Sequence, residues 1–190
     1  KKKIFVALDF SNFDKALDIA RSVKDYAAGL KITNELFAIC GKEGLKKLGD
    51  FGLEIFLDLK TLDVPNTVKK TVASIGSLKT VKYLTIHTSG GYDMLKAAQE
   101  ASGHLELLGV TVLTSQSASK EQIKILTSLA IKSKLSGVIA SAQEYESVRS
   151  LSKDLKIFCP GIRGSEDKKH DQKRVMSYSE FYDTSKNDDR

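Results

Sequence analysis

One lysine and two aspartates in residues 56–67 have the types and spacing to do chemistry. Asp58, Lys60 and Asp63 follow an apolar stretch, and the alternation in residues 55–60 predicts a strand with Asp58 and Lys60 on one face. Charges on the inner face of a buried strand are costly unless they are paired or used. We therefore predict an ammonium group held between two carboxylates at the carboxyl end of a strand. An exposed ion pair on an edge strand is the alternative.

The elements that must position these charges follow from hydrophobic runs and helix signals along the chain. The runs predict seven strands, at residues 4–8, 28–32, 55–60, 83–87, 105–113, 136–140 and 156–159. Helical periodicity and capping residues predict six helices between them, at residues 13–24, 34–48, 65–77, 92–101, 120–133 and 142–151. Ser11 or Asn12 could cap the first helix, and the second should break near Gly41 and Gly44.

This βα alternation, with polar residues at the ends of the strands, predicts an α/β fold of the TIM-type (β/α)8 barrel class. A doubly wound open sheet is the competitor, but its Gly-rich phosphate loop is not found at residues 9–12. No apolar run after Met176 could form an eighth strand, so the last βα unit is missing or atypical. We predict one domain over residues 1–176 and a polar tail over residues 177–190, where disorder is one interpretation.

Bulk properties restrict the classes of partner. The net charge of +6 favours an anionic partner, but the lysines are dispersed and few aromatic residues accompany them, which argues against nucleic-acid binding. No apolar run is long enough to cross a membrane. Cys40 and Cys159 are expected to be reduced thiols, so the chain is expected in the cytoplasm. His87, His104 and His170 do not cluster, so no metal site is predicted.

Residues 58–67, which read DLKTLDVPNT, resemble the D-x-K-x-x-D-[IV]-P-N-T signature of the orotidine 5′-phosphate decarboxylase family. The likeness covers residues 4–176 and continues in register at residues 8–9, 29–31, 87, 112–115, 137–142, 160–163 and 170–176. Two departures stand out. The family usually has an aromatic or aliphatic residue and then His where Thr61 and Leu62 stand. Its closing strand, which ends in a Gly-Arg pair near the phosphate, has no counterpart here.

The resemblance implies loss of CO₂ from C6 of orotidine 5′-monophosphate, without a cofactor or metal. The resulting C6 carbanion has no electron sink, so a preorganised cation should stabilise it and then deliver a proton. Lys60 is the expected general acid, with Asp58 and Asp63 as anions that favour its ammonium form. Lys31 should pair with Asp58 and extend an alternating array of charges.

The remaining site residues are also implied by the resemblance. It implies a homodimer with shared active sites, in which Asp63 and Thr67 reach the neighbouring subunit's site. Asp9 should accept a hydrogen bond from a ribose hydroxyl, although a helix-capping role fits the local sequence nearly as well. The phosphate ligands should be Arg163 and Gln172, under a lid formed by residues 164–174. Thr114 and Ser115 should bind the pyrimidine edge.

Two alternatives remain open at this point. One is a Mg²⁺-dependent enzyme of the same barrel group, such as a keto-gulonate-phosphate decarboxylase or a hexulose-phosphate synthase. Lys31, the Pro65–Asn66–Thr67 run and the late Asp-Gln-Lys-Arg run argue against it. The other is an inactive or weakly nucleotide-binding remnant of the family, motivated by the absent closing strand.

Overall fold

The structure, a computed structural model, describes residues 3–163 and 176–177. The main strands are β1 Phe5–Leu8, β2 Gly29–Thr33, β3 Glu54–Thr61, β4 Val81–His87, β5 Glu106–Val110, β6 Gly137–Ile139 and β7 Lys156–Phe158. The helices are α1 Phe13–Val23, α2 Asn34–Gly49, α3 Pro65–Gly76, α4 Gly91–Glu100, α5 Lys120–Lys132 and α6 Tyr145–Arg149. Single 3₁₀ turns, Thr88–Gly90 and Ala142–Glu144, precede α4 and α6.

The seven strands form one parallel sheet in the order β1-β2-β3-β4-β5-β6-β7, which confirms the predicted βα alternation. Most boundaries agree with the prediction to within two residues, but two elements differ by more. β5 ends at Val110 rather than at residue 113, and the next residues form the turn that precedes α5. The helix predicted over residues 142–151 is a 3₁₀ turn followed by a short helix, and the Glu144 carboxylate accepts from Ser141 N at 2.7 Å at its start.

Aromatic contacts between β1 and β7 show that the sheet is curled. In a flat sheet, six strand spacings of about 4.8 Å would separate these edges by roughly 29 Å. Instead, the ring centroids of Phe5 on β1 and Phe158 on β7 are 5.6 Å apart. Phe56 and Tyr83 complete this inner cluster, with their centroids 5.4 Å and 5.0 Å from that of Phe158. The fold is therefore a TIM-type barrel in which no pairing of β1 with β7 closes the ladder within the described residues.

Local sequence explains how the helices begin. The Asn12 side chain accepts from Lys15 N at 2.9 Å and caps α1, so Asp9 is not the cap. Pro65 lies in the first turn of α3, where its missing N–H costs nothing. The predicted break in α2 occurs at Gly41, whose φ of 56° is in the left-handed region.

Ion pairs between strands lie on the amino-end side of the barrel. Lys82 Nζ lies 3.2 Å from Glu54 Oε1 and 3.8 Å from Glu106 Oε1, and Lys156 also pairs with Glu106. Burial and the neighbouring carboxylates raise the pKa of Tyr83, so its hydroxyl stays neutral. This end of the barrel is thus occupied by side chains that pair with one another.

The end of the chain is described only in part. A two-residue strand, β8 Ile162–Arg163, pairs in parallel with a second one, β9 Met176–Ser177. The predicted lid at residues 164–174 lies outside the described residues, as do residues 178–190, so the domain boundary at residue 176 stays a prediction. Among the described residues, no helix is both long enough and apolar enough to span a membrane.

Candidate active site

A bulge in β3 presents Asp58 and Lys60 to the barrel interior. β3 pairs with β4 at Leu57↔Leu84 and again at Thr61↔Ile86, so three residues of β3 stand opposite Thr85 alone. Lys60 lies in this excursion with a φ of 49°, which is uncommon for a residue with a side chain. The predicted shared face of Asp58 and Lys60 is present, but it is reached through a bulge rather than a regular strand.

Asp58 is the centre of the charged cluster. Its side chain is 11% exposed, and its Oδ2 lies 2.7 Å from Lys60 Nζ and 3.7 Å from Lys31 Nζ. The other oxygen, Oδ1, accepts from Thr85 Oγ1 at 2.9 Å. Both carboxylate oxygens are therefore engaged, as a buried carboxylate requires.

Lys31 connects this cluster to the end of β1. Its Nζ lies 3.2 Å from Asp9 Oδ1, and so an alternating array runs Asp9–Lys31–Asp58–Lys60. The expected pairing of Lys31 with Asp58 is present, and Asp9 extends the array. Asp9, whose side chain is 60% exposed, keeps part of its carboxylate open at the mouth of the barrel.

The predicted position of Asp63 beside Lys60 is not found within one chain. Asp63 Oδ1 accepts from the backbone N of Val64 at 2.6 Å, and the side chain is exposed. No ion pair joins Asp63 to Lys60 in the described part of the chain. The reason is local: the bulge ends β3 at Thr61, and the next residues turn outward into α3. The ammonium held between two carboxylates is Lys31 instead.

The other predicted residues lie in loops on the carboxyl side of the strands or beyond the described chain. Thr67 is exposed in the first turn of α3, and its N–H donates to Val64 O at 3.0 Å. Thr114 is half-buried and Ser115 is exposed in the turn after β5. Arg163 lies in β8, with only its backbone described, and Gln172 is outside the described residues.

Two residues of β4 belong to the site although the sequence reasoning gave them no role in the chemistry. Thr85 is fully buried and also accepts from Lys60 N at 2.8 Å. His87 is half-buried, and burial, followed by the Lys60 ammonium, lowers its pKa below the ordinary value. At neutral pH His87 is therefore an uncharged imidazole beside the array. The signal was the alternation Tyr83-Leu84-Thr85-Ile86-His87, which places Tyr83, Thr85 and His87 on one face.

A cavity of about 530 Å³ lies at the carboxyl ends of β4 and β5, and none of the four array residues lines it. His87 lines it together with Leu62 from the loop after β3, and Leu113 and Gln116 bracket the Thr114–Ser115 turn along its wall. A space of this size accommodates a small-molecule ligand. Among the described residues, no group of three or more His, Cys, Asp and Glu side chains is arranged to hold a metal ion.

Comparisons with known proteins agree on one family. A sequence model described as the orotidine 5′-phosphate decarboxylase / HUMPS family matches residues 2–185. An orotidine 5′-phosphate decarboxylase of Pseudoalteromonas translucida is 35% identical over 199 residues, covering 96% of this chain and 85% of that protein. One from Ehrlichia chaffeensis is 40% identical and covers 92% of this chain and 81% of its own length.

A solved structure gives the same result in three dimensions. The crystal structure of an orotidine 5′-phosphate decarboxylase from Lactobacillus acidophilus superposes with a TM-score of 0.77 at 31% identity. The match covers 86% of this chain and 82% of that one. The similarity therefore extends across most of the chain.

Proposed function

The chain belongs to the orotidine 5′-phosphate decarboxylase / HUMPS family, and on that premise we propose that it decarboxylates orotidine 5′-monophosphate to UMP in pyrimidine biosynthesis. The observation that carries the proposal is the array Asp9–Lys31–Asp58–Lys60 at the carboxyl ends of β1, β2 and β3. Active sites of TIM barrels lie at this face. The reaction is a carboxy-lyase reaction that releases CO₂.

Lys60 acts on the carbon that loses CO₂. Cleavage of the C6–carboxyl bond leaves its electron pair on C6, and an ammonium group fixed nearby stabilises this charge before it transfers a proton to it. Lys60 suits this role because its side chain is 35% exposed and so reaches the open mouth, while Asp58 fixes its Nζ at 2.7 Å. Proton transfer then gives the C6–H bond of UMP.

Asp58 has two effects on this chemistry. Its negative charge orients Lys60 and Lys31 and compensates their positive charges. It also faces the position of the substrate carboxylate, an anion that leaves as neutral CO₂. Any repulsion between the two anions is therefore relieved as the reaction proceeds, which lowers the barrier without tighter substrate binding.

The substrate's phosphate and ribose bind at the periphery of the array. Asp9 accepts from a ribose hydroxyl, Thr114 and Ser115 contact the pyrimidine edge, and Arg163 and Gln172 bind the phosphate. An arginine guanidinium matches phosphate oxygens with two parallel donors. The net charge of +6 favours the approach of this anionic substrate.

A homodimer with shared sites explains the direction of Asp63. Leu62 and Val64 on either side of it are 56% and 62% exposed, so this loop presents apolar surface that a second copy can cover. A second copy covering this loop would bury both and bring Asp63 and Thr67 to the neighbouring subunit's array.

The two unpaired cysteines, Cys40 and Cys159, accord with a cytoplasmic location for this dimer.

Mixing two inactive variants tests the shared sites. Lys60→Ala and Asp63→Ala should each be inactive, since every site lacks one of the two residues. Subunits unfolded and refolded together should recover about one quarter of wild-type activity, because half of the dimers are mixed and each carries one intact site. Activity is measured on the refolded mixture and on each variant refolded alone. If the mixture stays as inactive as its components, Asp63 serves its own chain's site, and if Asp63→Ala alone is active, Asp63 serves neither site.

The Mg²⁺-dependent alternative has less support. The description of the matching family also includes the HUMPS enzymes, but the relatives compared above are named as orotidine 5′-phosphate decarboxylases. Both oxygens of Asp58 are also engaged by Lys60, Lys31 and Thr85, which leaves this carboxylate poorly placed to bind a cation.

The decisive assay follows the absorbance of orotidine 5′-monophosphate on addition of the purified protein in EDTA. We expect metal-independent loss of substrate with formation of an equal amount of UMP. Turnover that EDTA abolishes would favour the Mg²⁺-dependent enzyme. A folded protein that binds UMP without turnover would instead be the inactive remnant.

A further inference from the structure

We propose that Thr85 is a positioning residue that holds both the backbone of Lys60 and the carboxylate of Asp58 in the geometry that decarboxylation requires. This inference rests on the proposed function, because it assigns Thr85 a part in that reaction. In the proposed mechanism, Thr85 does not contact the substrate. It acts through the two residues that do.

The register of the sheet singles out Thr85. Between the pairs Leu57↔Leu84 and Thr61↔Ile86, β4 has one residue where β3 has three. A regular ladder would supply backbone partners for residues of β3 here, but the bulge withdraws them. Thr85 provides a side-chain oxygen in their place, which accepts from Lys60 N at 2.8 Å.

The backbone of Lys60 needs such a contact. A φ of 49° in a residue with a Cβ is strained, and this conformation persists only when its surroundings enforce it. Lys60 precedes Thr61, where pairing with Ile86 resumes, so the strained residue is fixed on one side by the ladder. The hydrogen bond to Thr85 fixes it on the other.

The directions of the two hydrogen bonds of Thr85 are determined by their partners. The backbone N–H of Lys60 can only donate, and an ionised Asp58 can only accept. The hydroxyl must therefore accept from Lys60 N and donate its single proton to Asp58 Oδ1, at 2.8 Å and 2.9 Å. No other orientation of this fully buried group satisfies both.

This arrangement couples the two catalytic groups. With Oδ1 of Asp58 held by Thr85, the carboxylate cannot rotate, and its Oδ2 is presented to Lys60 Nζ at 2.7 Å. The same hydroxyl sets where the Lys60 side chain starts from the backbone. Loss of the hydroxyl would free both the backbone of Lys60 and the carboxylate of Asp58. We expect the reaction to slow, because small displacements of reacting groups lower the rate strongly.

Other buried threonines show that burial alone does not require such contacts. The Thr88 hydroxyl, in the 3₁₀ turn that follows β4, donates to the carbonyl of Val110 at 2.9 Å. Thr127 in α5 is equally buried, and its hydroxyl has no partner within the described residues. Only Thr85 bridges two members of the charged array in the described structure.

Three variants test the inference: Thr85→Val, which keeps the shape and removes the hydroxyl, Thr85→Ser, which keeps the hydroxyl, and Thr88→Val as the matched control. We expect Thr85→Val to lower kcat by about 100-fold with KM changed by less than about threefold. Thr85→Ser should retain kcat to within a few fold. Thr88→Val loses one buried hydrogen bond of similar length, and its kcat should be that of wild type.

Crystal structures of Thr85→Val and wild type supply a readout that does not depend on turnover. In the variant, Lys60 should leave the left-handed region and its ion pair with Asp58 should lengthen. The inference is overturned if Thr85→Val keeps wild-type kcat and Lys60 φ, or if Thr85→Ser is as slow as Thr85→Val. An inactive wild-type protein would instead refute the proposed function, and the structures would still decide whether Thr85 holds the pair.

Discussion

Lys60→Ala is expected to abolish decarboxylation while leaving the binding of UMP measurable. In the proposed mechanism, the variant removes both the cation that stabilises the C6 carbanion and the acid that protonates it. Proton transfer contributes about 10²–10⁴-fold to enzymatic rates, and a preorganised charge about 10²–10³-fold. Together they predict a loss of at least about 10⁴-fold in kcat. Single-turnover kinetics and calorimetric titration with UMP measure the two quantities separately.

Lys82→Ala is the control for this experiment. Lys82 also pairs with carboxylates on neighbouring strands, with its Nζ 3.2 Å from Glu54, but it lies on the amino-end side of the barrel. Its removal should affect stability by at most about 1 kcal/mol and kcat not at all, because the pair is partly exposed. Near-normal turnover in Lys60→Ala would overturn the proposed mechanism.

Asp58→Asn should produce the second-largest effect, a fall in kcat of about 10³-fold or more without a matching loss of substrate affinity. The amide keeps the shape of the carboxylate but removes the charge that both Lys60 and Lys31 share. The two ammonium groups then repel and lose their orientation. A neutral residue 58 no longer repels the substrate carboxylate, so KM and the dissociation constant should stay equal or decrease.

Glu106→Gln is matched to this variant. Glu106 is likewise a carboxylate that pairs with two lysines, Lys82 and Lys156, but on the amino-end side of the barrel. The kcat of Glu106→Gln should be unchanged. A proportional loss of affinity and turnover in Asp58→Asn would show that Asp58 contributes to substrate binding rather than to the chemical step.

The sequence predicted the architecture well because the signals are local. Each predicted strand is an apolar run of the kind expected for buried parallel strands. The starts of helices are marked by residues that favour the first turn, such as Pro65. The break at Gly41 was visible for the same reason. Boundaries such as that of β5 were less accurate, since strand length depends on the partner strand.

The geometry of the candidate site depended on contacts that local patterns do not contain. A period of two correctly places Asp58 and Lys60 on one face, but it gives no hint of a bulge, because register is decided by the pairing with β4. Within one chain Asp63 turns away from Lys60, and its predicted place at the neighbouring subunit's site stays a prediction. The ion pair of Lys31 with Asp9 was not predicted, because it depends on how the end of β1 packs beside β2. The sequence did not predict a role for Thr85, because threonine is common in strands for its shape alone.

The left-handed backbone of Lys60 has a further consequence for what this chain could become. Besides glycines, only Lys60 and Lys134 have positive φ among the described residues. Lys134 follows the end of α5, where such a conformation is ordinary, whereas Lys60 adopts it inside a strand. At position 60, glycine would adopt this backbone conformation with the least strain, whereas the proposed chemistry requires lysine. Selection on the backbone conformation alone would therefore favour losing the proposed general acid, and we expect the lysine to be retained where turnover matters more than stability.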